Sequence, residues 1–442
     1  MTFPVREPRL SGQRMDFMKC IGVLMTNLIG DVSSAARILP ELHGEKLFIK
    51  KGAGAYLWDQ QDRRYIDTAL GFGAVLLGHS RPEVVSAVAA ALSDAASPSW
   101  AHVREHAAAT ALAQFTGEMD KVIFTNSGSE AVHLACRAAR AFTGRRKIAK
   151  MAAGFDGWFD EVSFGNVATA EALYENGQRP STERTTLLRF NDFEDVERLF
   201  AESSDIAAVL MEPMLANAGC IMAAPGYLKH VQEVARRHGA LVISDEVLMG
   251  FRLGAGLASL KEGLTPDIAT VGKAIGSGVP VSAIVGRSEV LAGFEQGKVL
   301  RGGTFSGNPM ACAAVLTTLK GLGASDYDAL MRKGCELRSF IEQVFAAEGI
   351  TVTTSGYGSV FTIWLGAQAP TSYEEASKAA SPQFSTALHL ALREHGVLVM
   401  PSPYGRIYLS FDHDAQVMQE MRDAFRKAAA ALAGQFGTHT AA

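Results

Sequence analysis

A lysine and an aspartate, each directly after an apolar run, are the residues of this chain best placed for chemistry. Lys273 follows the strand-like run Asp267-Ile-Ala-Thr-Val, and Asp245 ends a second run, Leu241-Val-Ile-Ser. An amine can condense with an aldehyde as a Schiff base, and a carboxylate can keep a pyridine nitrogen protonated so that the ring withdraws electrons. Together the two side chains predict a site for pyridoxal 5'-phosphate (PLP).

The neighbours of Lys273 decide between this interpretation and an ordinary surface lysine, the commonest fate of that residue type. The segment Thr-Val-Gly-Lys-Ala-Ile-Gly-Ser-Gly-Val-Pro is apolar, and glycines at 272, 276 and 278 permit close backbone approach. A lysine desolvated there, beside a cationic ring, should have a lowered pKa and serve as nucleophile and proton carrier.

Asp245 could also cap a helix or bind a metal, as strand-end aspartates do in nucleotide enzymes. The chain has no Gly-x-x-x-x-Gly-Lys-Ser/Thr loop to support nucleotide binding, and we predict no metal. Pairing with a buried pyridinium suits Asp245 better, because low local dielectric strengthens it. Val247 lies two residues further along an extended backbone, so we expect it to contact the ring.

The turn Ser127-Gly128-Ser129 follows a strand-like run and opens a helical pattern. Backbone amides at a helix start, together with two hydroxyls, form a natural phosphate cradle. In isolation such a turn is more often only a helix N-cap.

Size and composition indicate a soluble globular protein with more than one structural unit. The 442 residues are 48% hydrophobic and 20% charged, with a formal net charge of -4, so nothing indicates a nucleic-acid surface. The five cysteines have neither metal nor disulfide spacing and are typical of reduced thiols in a cytoplasmic protein. The apolar run 17–29 is too short to span a membrane and is interpreted as an N-terminal helix.

Strand and helix patterns alternate through the middle of the chain, which predicts an α/β fold with a mostly parallel sheet and helices on both faces. The last third differs and predicts a smaller α+β domain, which a hairpin of Tyr56–Asp59 and Arg64–Asp67 would complete from the other chain end. We therefore predict an N-terminal segment with part of the small domain at 1–74, a large domain at 75–330, and the rest of the small domain at 331–442.

Three segments together resemble the class III (subgroup II) aminotransferases of PLP fold type I. They are Asp245-Glu-Val-Leu-Met-Gly-Phe-Arg, the lysine segment, and Gly302-Gly-Thr-Phe-Ser-Gly-Asn-Pro. The likeness runs in consistent order from about Gly30 to the last helix. It is strongest to the branch of glutamate-1-semialdehyde aminomutase and β-amino acid aminotransferase.

The resemblance implies roles for individual residues. Lys273 would form the Schiff base and Asp245 would bind the pyridine nitrogen, with Ser127, Gly128 and Ser129 on the phosphate. Phe155 would stack on the ring, and Asn217, in Glu212-Pro-Met-Leu-Ala-Asn, would lie near the ring hydroxyl. Thr304 would reach the phosphate of a neighbouring subunit, which implies a homodimer with shared active sites.

Departures from the family concern the substrate side. Phe155-Asp156-Gly157 stands where the family usually has Tyr-His-Gly, which keeps a stacking ring but removes a hydroxyl. Ser402-Pro-Tyr-Gly-Arg406 holds an arginine where the aminomutase has a glutamate, which favours a carboxylate over a second amine. Arg37 aligns with an arginine that meets the substrate carboxylate, and Phe72 matches a pocket tryptophan. Either arginine could instead form a surface ion pair, and Phe72 could belong to the core.

These residues predict a PLP-dependent aminotransferase that takes its amino group from a carboxylate-bearing amine, such as a β-amino acid, and passes it to a 2-oxo acid. Intramolecular transfer by an aminomutase is the nearest alternative. Racemase or decarboxylase chemistry on the same fold, and a non-catalytic protein of that fold, are the others.

Overall fold

The computed structural model describes residues 27–173 and 178–437. The chain forms two compact units, Met1–Lys46 and Leu47–Ala442. The described part of the first unit contains the 3-10 turns Ile29–Asp31 and Ala35–Arg37, and Lys46 Nζ lies 2.7 Å from Asp31 Oδ2. The helix expected over 17–29 falls mostly outside the described residues, and its last three residues are not α-helical.

The strands of the second unit are β1 (Ile49–Ala53), β2 (Tyr56–Asp59), β3 (Arg64–Asp67), β4 (Lys121–Thr125), β5 (Lys147–Met151), β6 (Thr185–Leu188), β7 (Ile206–Met211), β8 (Met214–Leu215), β9 (Ile221–Met222), β10 (Leu241–Glu246), β11 (Ile268–Val271), β12 (Ser282–Gly286), β13 (Val352–Tyr357), β14 (Val360–Leu365), β15 (Val397–Leu398) and β16 (Ile407–Tyr408).

Its helices are α1 (Leu70–Gly73), α2 (Pro82–Asp94), α3 (Val103–Ala113), α4 (Gly128–Thr143), α5 (Asp160–Ser163), α6 (Phe193–Glu202), α7 (Tyr227–Arg237), α8 (Ala258–Lys261), α9 (Ser288–Glu295), α10 (Pro309–Gly323), α11 (Tyr327–Ala347), α12 (Tyr373–Ala379), α13 (Pro382–Glu394) and α14 (Ala415–Phe436). In the described part of the chain, none of the helices is both long and apolar enough to cross a membrane.

The large sheet has the strand order β4-β12-β11-β10-β7-β5-β6. The neighbours β11-β10-β7-β5-β6 run parallel, and β12 is antiparallel to both β11 and β4. The predicted α/β fold with a mostly parallel sheet is therefore confirmed.

The two faces of this sheet bury alternate residues under different helices, as the two-residue period of a strand requires. Leu241 and Ile243 of β10 pack in a cluster with α4, whereas Val242 packs in a cluster with α6 and α7. Because both faces are covered, β7 and β10 are buried along their whole length, which explains why β7 is apolar throughout and β10 begins with Leu-Val-Ile.

The smaller sheets join distant parts of the chain. The predicted hairpin exists as β2 and β3, and β15 adds to it in parallel, so its four-stranded sheet contains residues from both ends of the second unit. A three-stranded sheet, β13-β14-β16, lies in the last third. The alternating sequence Val360-Phe-Thr-Ile-Trp predicts β14, but no such pattern predicts β13, whose sequence Val-Thr-Thr-Ser-Gly-Tyr is mostly polar.

A left-handed turn lies between β3 and α2. Leu70, Gly71, Phe72 and Gly73 have φ values of 49°, 62°, 57° and 89°. Asp67 Oδ1 accepts a hydrogen bond from the backbone amide of Ala69 at 2.8 Å, and its Oδ2 accepts one from that of Leu70 at 3.0 Å. These hydrogen bonds stabilise a backbone conformation that non-glycine residues rarely adopt.

Candidate active site

Parallel strand pairing brings Asp245 and Lys273 to one edge of the large sheet. Asp245 on β10 lies opposite Thr270 on β11, and Lys273 follows only three residues after Thr270. The carboxyl ends of parallel strands are where α/β proteins collect ligands. The two residues singled out by the sequence are therefore neighbours.

Both side chains line one cavity of about 300 Å³. Its walls come from the start of α4, the segment after β5, the ends of β10 and β11, and the loop before β12. The residues on its surface are Ala74, Asn126, Ser127, Gly128, Ser129, Phe155, Asp156, Gly157, Asp245, Val247, Lys273, Gly278, Val279, Pro280, Val281 and Ser282.

Asp245 is buried, and local hydrogen bonds fix one of its two carboxylate oxygens. The backbone amide of Val247 and the hydroxyl of Thr270 both donate to Oδ1 at 2.9 Å. Burial and the nearby Asp156 charge raise the pKa of Asp245 to about 7, against these hydrogen bonds and Lys273. The carboxylate therefore needs a cationic partner, and Oδ2 can accept a hydrogen bond from one.

Lys273 is half-buried at the mouth of a tight loop. Burial lowers its pKa to about 8, with Asp245 and Glu212 opposing the shift and the Arg406 and Arg252 charges adding to it. Its backbone φ of 44° is unusual for lysine. A Cβ on the preceding residue, Gly272, would lie 2.4 Å from Ser282 Oγ, so this close approach requires glycine.

The turn before α4 is a helix cap, and other groups of the same turn could bind an anion. Ser127 Oγ accepts a hydrogen bond from the amide of Glu130 at 3.3 Å, and Glu130 Oε2 accepts one from the amide of Ser127 at 3.1 Å. This capping box leaves the amides of Gly128 and Ser129, and the Ser129 hydroxyl, for a phosphate.

Close packing shapes the cradle on two sides. A Cβ at Gly128 would lie 2.9 Å from Val247 Cγ1, so Val247 packs directly against the helix start. Gly157, with φ of 116°, approaches Ser129 equally closely, since a Cβ there would lie 2.8 Å from Ser129 Oγ. Val247 therefore lies on the cavity wall, and its contact with a cofactor ring stays a prediction.

Phe155 also lines the cavity, with its side chain 44% exposed. Its backbone amide donates to Glu212 Oε1 at 3.3 Å. Glu212 is buried, and burial, with the charges of Asp156 and Asp245, raises its pKa well above the usual range. The phenyl ring is therefore available for stacking while its backbone is held by a buried acid.

Five predicted contacts are not among the residues of this cavity wall: Asn217, Phe72, Thr304, Arg37 and Arg406. Asn217 is half-buried in the turn between β8 and β9, and Phe72 lies in the left-handed turn, from which Ala74 reaches the cavity instead. Thr304 is exposed in a turn before α10. Arg37 is exposed at the end of its 3-10 turn in the first unit.

Arg406 is 7% exposed and is held by neutral groups. Its Nε donates to the hydroxyl of Tyr408 at 2.8 Å, and its Nη1 donates to the carbonyl oxygens of Ala216 and Tyr404, each at 3.4 Å. Arg406 is not a wall residue of the cavity, although its charge acts on Lys273.

Sequence reasoning missed Thr270, Ala74, Ser282 and the site role of Asp156. Thr270 could have been found, because it stands three residues before Lys273 in a strand that must pair with β10. The others approach the cavity only through tertiary packing, which no local pattern encodes.

The residues present fit PLP on the chemistry of the cavity. The Lys273 amine, with its lowered pKa, matches the aldehyde, and the Asp245 carboxylate, which lacks a cation, matches the pyridine nitrogen. The backbone amides at the start of α4 match the phosphate, and the phenyl ring of Phe155 matches the cofactor ring.

Comparison with known proteins agrees with this chemistry. The model of the class-III aminotransferase family matches residues 40–412. A glutamate-1-semialdehyde 2,1-aminomutase of Nitratidesulfovibrio vulgaris (strain DSM 19637 / Miyazaki F) is 34% identical over 403 residues, covering 90% of this chain and 95% of that protein. A second one, from the Hildenborough strain, is 36% identical over 404 residues, with the same coverage.

Solved structures of transaminases superpose on most of the chain. An ω-transaminase from Sphaerobacter thermophilus has a TM-score of 0.81 at 29% identity and covers 92% of this chain and 100% of its own. A β-phenylalanine aminotransferase from Variovorax paradoxus has a TM-score of 0.81 at 27% identity and covers 93% of each chain. A transaminase with PLP bound has a TM-score of 0.78 at 28% identity and covers 88% of this chain and 92% of its own.

Borohydride reduction of the PLP-loaded protein should attach the cofactor covalently to Lys273, because a reduced Schiff base is a stable secondary amine. Mass spectrometry of the digested protein identifies the modified peptide. Lys273→Ala protein should release all cofactor on denaturation after reduction, whereas Lys298→Ala, at an exposed position, should behave as the parent. A reducible adduct that persists in Lys273→Ala would contradict the assignment.

The rate at which the cofactor-free protein captures PLP should rise with pH and level off above about 8, because only the neutral amine attacks the aldehyde and the pKa of Lys273 is lowered to about 8. Stopped-flow absorbance measures this rate, with Nα-acetyl-lysine as the reference amine. A protein rate that keeps rising with pH as the reference does would show that Lys273 titrates as an ordinary lysine.

Proposed function

Because the chain belongs to the class-III aminotransferase family, we propose that it moves an amino group from a carboxylate-bearing amine to a 2-oxo acid by a ping-pong reaction. Its cofactor is PLP. A β-amino acid is the donor class that we favour. The single observation that carries the choice of a carboxylate-bearing donor is the buried Arg406.

Arg406 is a guanidinium without an ionic partner. It forms no salt bridge to a carboxylate within the described ranges, and its hydrogen bonds go to one hydroxyl and two carbonyl groups. A buried charge that is not paired is costly, and an arginine binds a carboxylate with two parallel hydrogen bonds. A donor or acceptor carboxylate would supply the missing negative charge.

A second buried arginine reinforces the positive charge on this side. Arg252 lies with Cζ 4.9 Å from the ring centroid of Tyr408, and Arg406 Cζ lies 6.0 Å from the same centroid. Both charges contribute to the lowered pKa of Lys273. This positive charge therefore favours a substrate that carries a carboxylate beside its amine over a substrate that carries a second amine.

Arg37 and Phe72 remain further candidates for the substrate side, on the resemblance alone. The relatives named aminomutases are the alternative, since their identity of 34% and 36% exceeds that of the transaminase structures. Against that reading, the segment Ser402-Pro-Tyr-Gly-Arg406 has no acid to hold a second amine.

Individual residues of the chain would have separate roles in this reaction. PLP supplies an aldehyde carbon and an electron-withdrawing ring. Asp245 Oδ2 would accept a hydrogen bond from the protonated ring nitrogen, and Gly128 and Ser129 would hold the phosphate. Lys273 Nζ would hold the cofactor aldehyde and would serve as the general base that moves a proton.

A half-reaction experiment separates transfer from isomerisation. Mixed with a β-amino acid and no acceptor, an aminotransferase should convert its cofactor to the pyridoxamine form once per site and stop. Adding pyruvate or 2-oxoglutarate should restore turnover. Absorbance of the cofactor and chromatography of the products measure both steps, and sustained turnover of one substrate without acceptor would instead indicate an aminomutase.

The role of Arg406 can be isolated with a matched pair of donors. For Arg406→Met, kcat/KM for the carboxylate-bearing donor should fall by about 10- to 100-fold, as expected for losing about 1.5–3 kcal/mol of charge-assisted hydrogen bonding. An arylalkylamine without a carboxylate should be affected much less. An equal loss for both donors would assign Arg406 a structural role only.

We also propose that the active unit is a homodimer in which Thr304 serves the site of the partner. The segment Trp100–Val103 lies beside the loop 300–307, because His102 Nε2 lies 2.8 Å from the carbonyl oxygen of Gly307. This surface exposes Trp100, Val103, Leu300 and Phe305 at 84%, 82%, 76% and 61%. Exposed apolar groups of this size are typical of an interface.

Mixed dimers test the sharing of sites directly. The Thr304→Asp side chain should repel the phosphate bound in the partner subunit. Lys273→Ala instead disables the active site of the subunit that carries it. Co-refolding or co-expressing the two should regenerate about a quarter of the parental activity, because half of the random dimers carry one intact site. Lys273→Ala with Asp245→Asn is the control that should regenerate none, and equal recovery in both mixtures, or none in either, would contradict the sharing.

A further inference from the structure

Asp156 is a buried carboxylate on the cavity wall to which the mechanism above gives no role. It is 2% exposed and lines the same cavity as Asp245 and Lys273. Its Oδ1 atom is buried and has no hydrogen-bond partner. A buried acceptor without a partner is costly, so its presence at a ligand site calls for a function.

Lys150 accounts for only one of the two oxygens of Asp156. Lys150 is fully buried, and its Nζ lies 3.2 Å from Asp156 Oδ2. The three N–H groups of that amine are used by the carbonyl oxygens of Gly154 and Val162, at 3.1 and 2.7 Å, and by Asn166 Oδ1 at 2.6 Å. Lys150 therefore holds Asp156 by charge and leaves Oδ1 open.

Two carboxylates, Asp156 and Asp245, line this cavity, and a third, Glu212, is buried beside Phe155. Burial raises the pKa of Asp156, with Lys150 opposing the shift. After burial itself, the Asp156 charge is the largest cause that raises the pKa of both Asp245 and Glu212. The titratable groups that interact with Asp156 are Cys136 from α4, Lys150 from β5, Glu212 after β7 and Asp245 from β10, and Lys273 lines the same cavity.

We propose that Asp156 is a positioning residue for the proton on the cofactor ring nitrogen, acting through Asp245. Two neighbouring buried carboxylates resist being ionised together unless a cation lies beside them. With Lys150 fixing the charge on Asp156, Asp245 carries its own charge only when the ring nitrogen is protonated. Asp156 thus makes the site select the pyridinium form, whichever amine is the donor.

The experiment follows the ring proton by ¹⁵N NMR of holoenzyme loaded with ring-¹⁵N PLP. In Asp156→Asn, which keeps the side-chain shape, the ring nitrogen should lose its proton at a pH lower by about one unit than in the parent. The affinity for PLP in the alkaline range should fall by about tenfold, measured by equilibrium dialysis.

A double variant keeps the test decisive if Asp156→Asn folds poorly with a stranded buried cation. Asp156→Asn/Lys150→Met removes both charges, and the ring nitrogen should still titrate at lower pH than in the parent. A parental titration in the double variant would attribute the effect to unpaired Lys150 and overturn the proposal. So would an unchanged ring titration in Asp156→Asn accompanied only by a lower melting temperature.

Discussion

Every charged group around the cavity is constrained by the cost of removing charge from water. Asp245, Glu212 and Asp156 are buried acids, and burial is the largest cause of the raised pKa of each. Such groups persist in a folded protein only where hydrogen bonds or opposite charges compensate them. The hydrogen bonds to Asp245 Oδ1 and the pairing of Asp156 with Lys150 each compensate one part of this cost. A bound pyridinium would complete the compensation, and cofactor binding would then be part of the electrostatic balance of the fold.

The sequence predicts those parts of the site whose position depends on one strand and the turn that follows it. Asp245 and Lys273 could be placed because a buried parallel strand is recognisable from its apolar run, and its carboxyl end defines the ligand edge. Likewise, Ser127 to Ser129 could be placed because strand, turn and helix are consecutive. Ser127 caps α4, and phosphate binding by Gly128 and Ser129 stays a prediction.

Other features depend on contacts between distant segments and have no local signature. Ser282 meets Gly272 across the loop that joins β11 and β12, and Asp156 finds its cation in the preceding strand through a turn that sequence pattern does not define. Strand β13 was missed because pairing with β14 places its polar threonines and serine in a sheet. Thr304 and Arg37 stay predictions, since their proposed roles involve a second subunit and a separate unit of the chain.

The left-handed turn at 70–73 bears on how donor range could be altered by protein engineering. Phe72 is an obvious target for randomisation, yet its φ of 57° strains most replacements, and only glycine, asparagine and aspartate adopt it readily. A library at this position would therefore select for backbone compatibility before selecting for specificity. Ala74, two residues on, has an ordinary helical φ of -76° and lies on the cavity wall itself. Substitutions of Ala74 would therefore change the shape of the cavity and leave the turn at 70–73 unchanged.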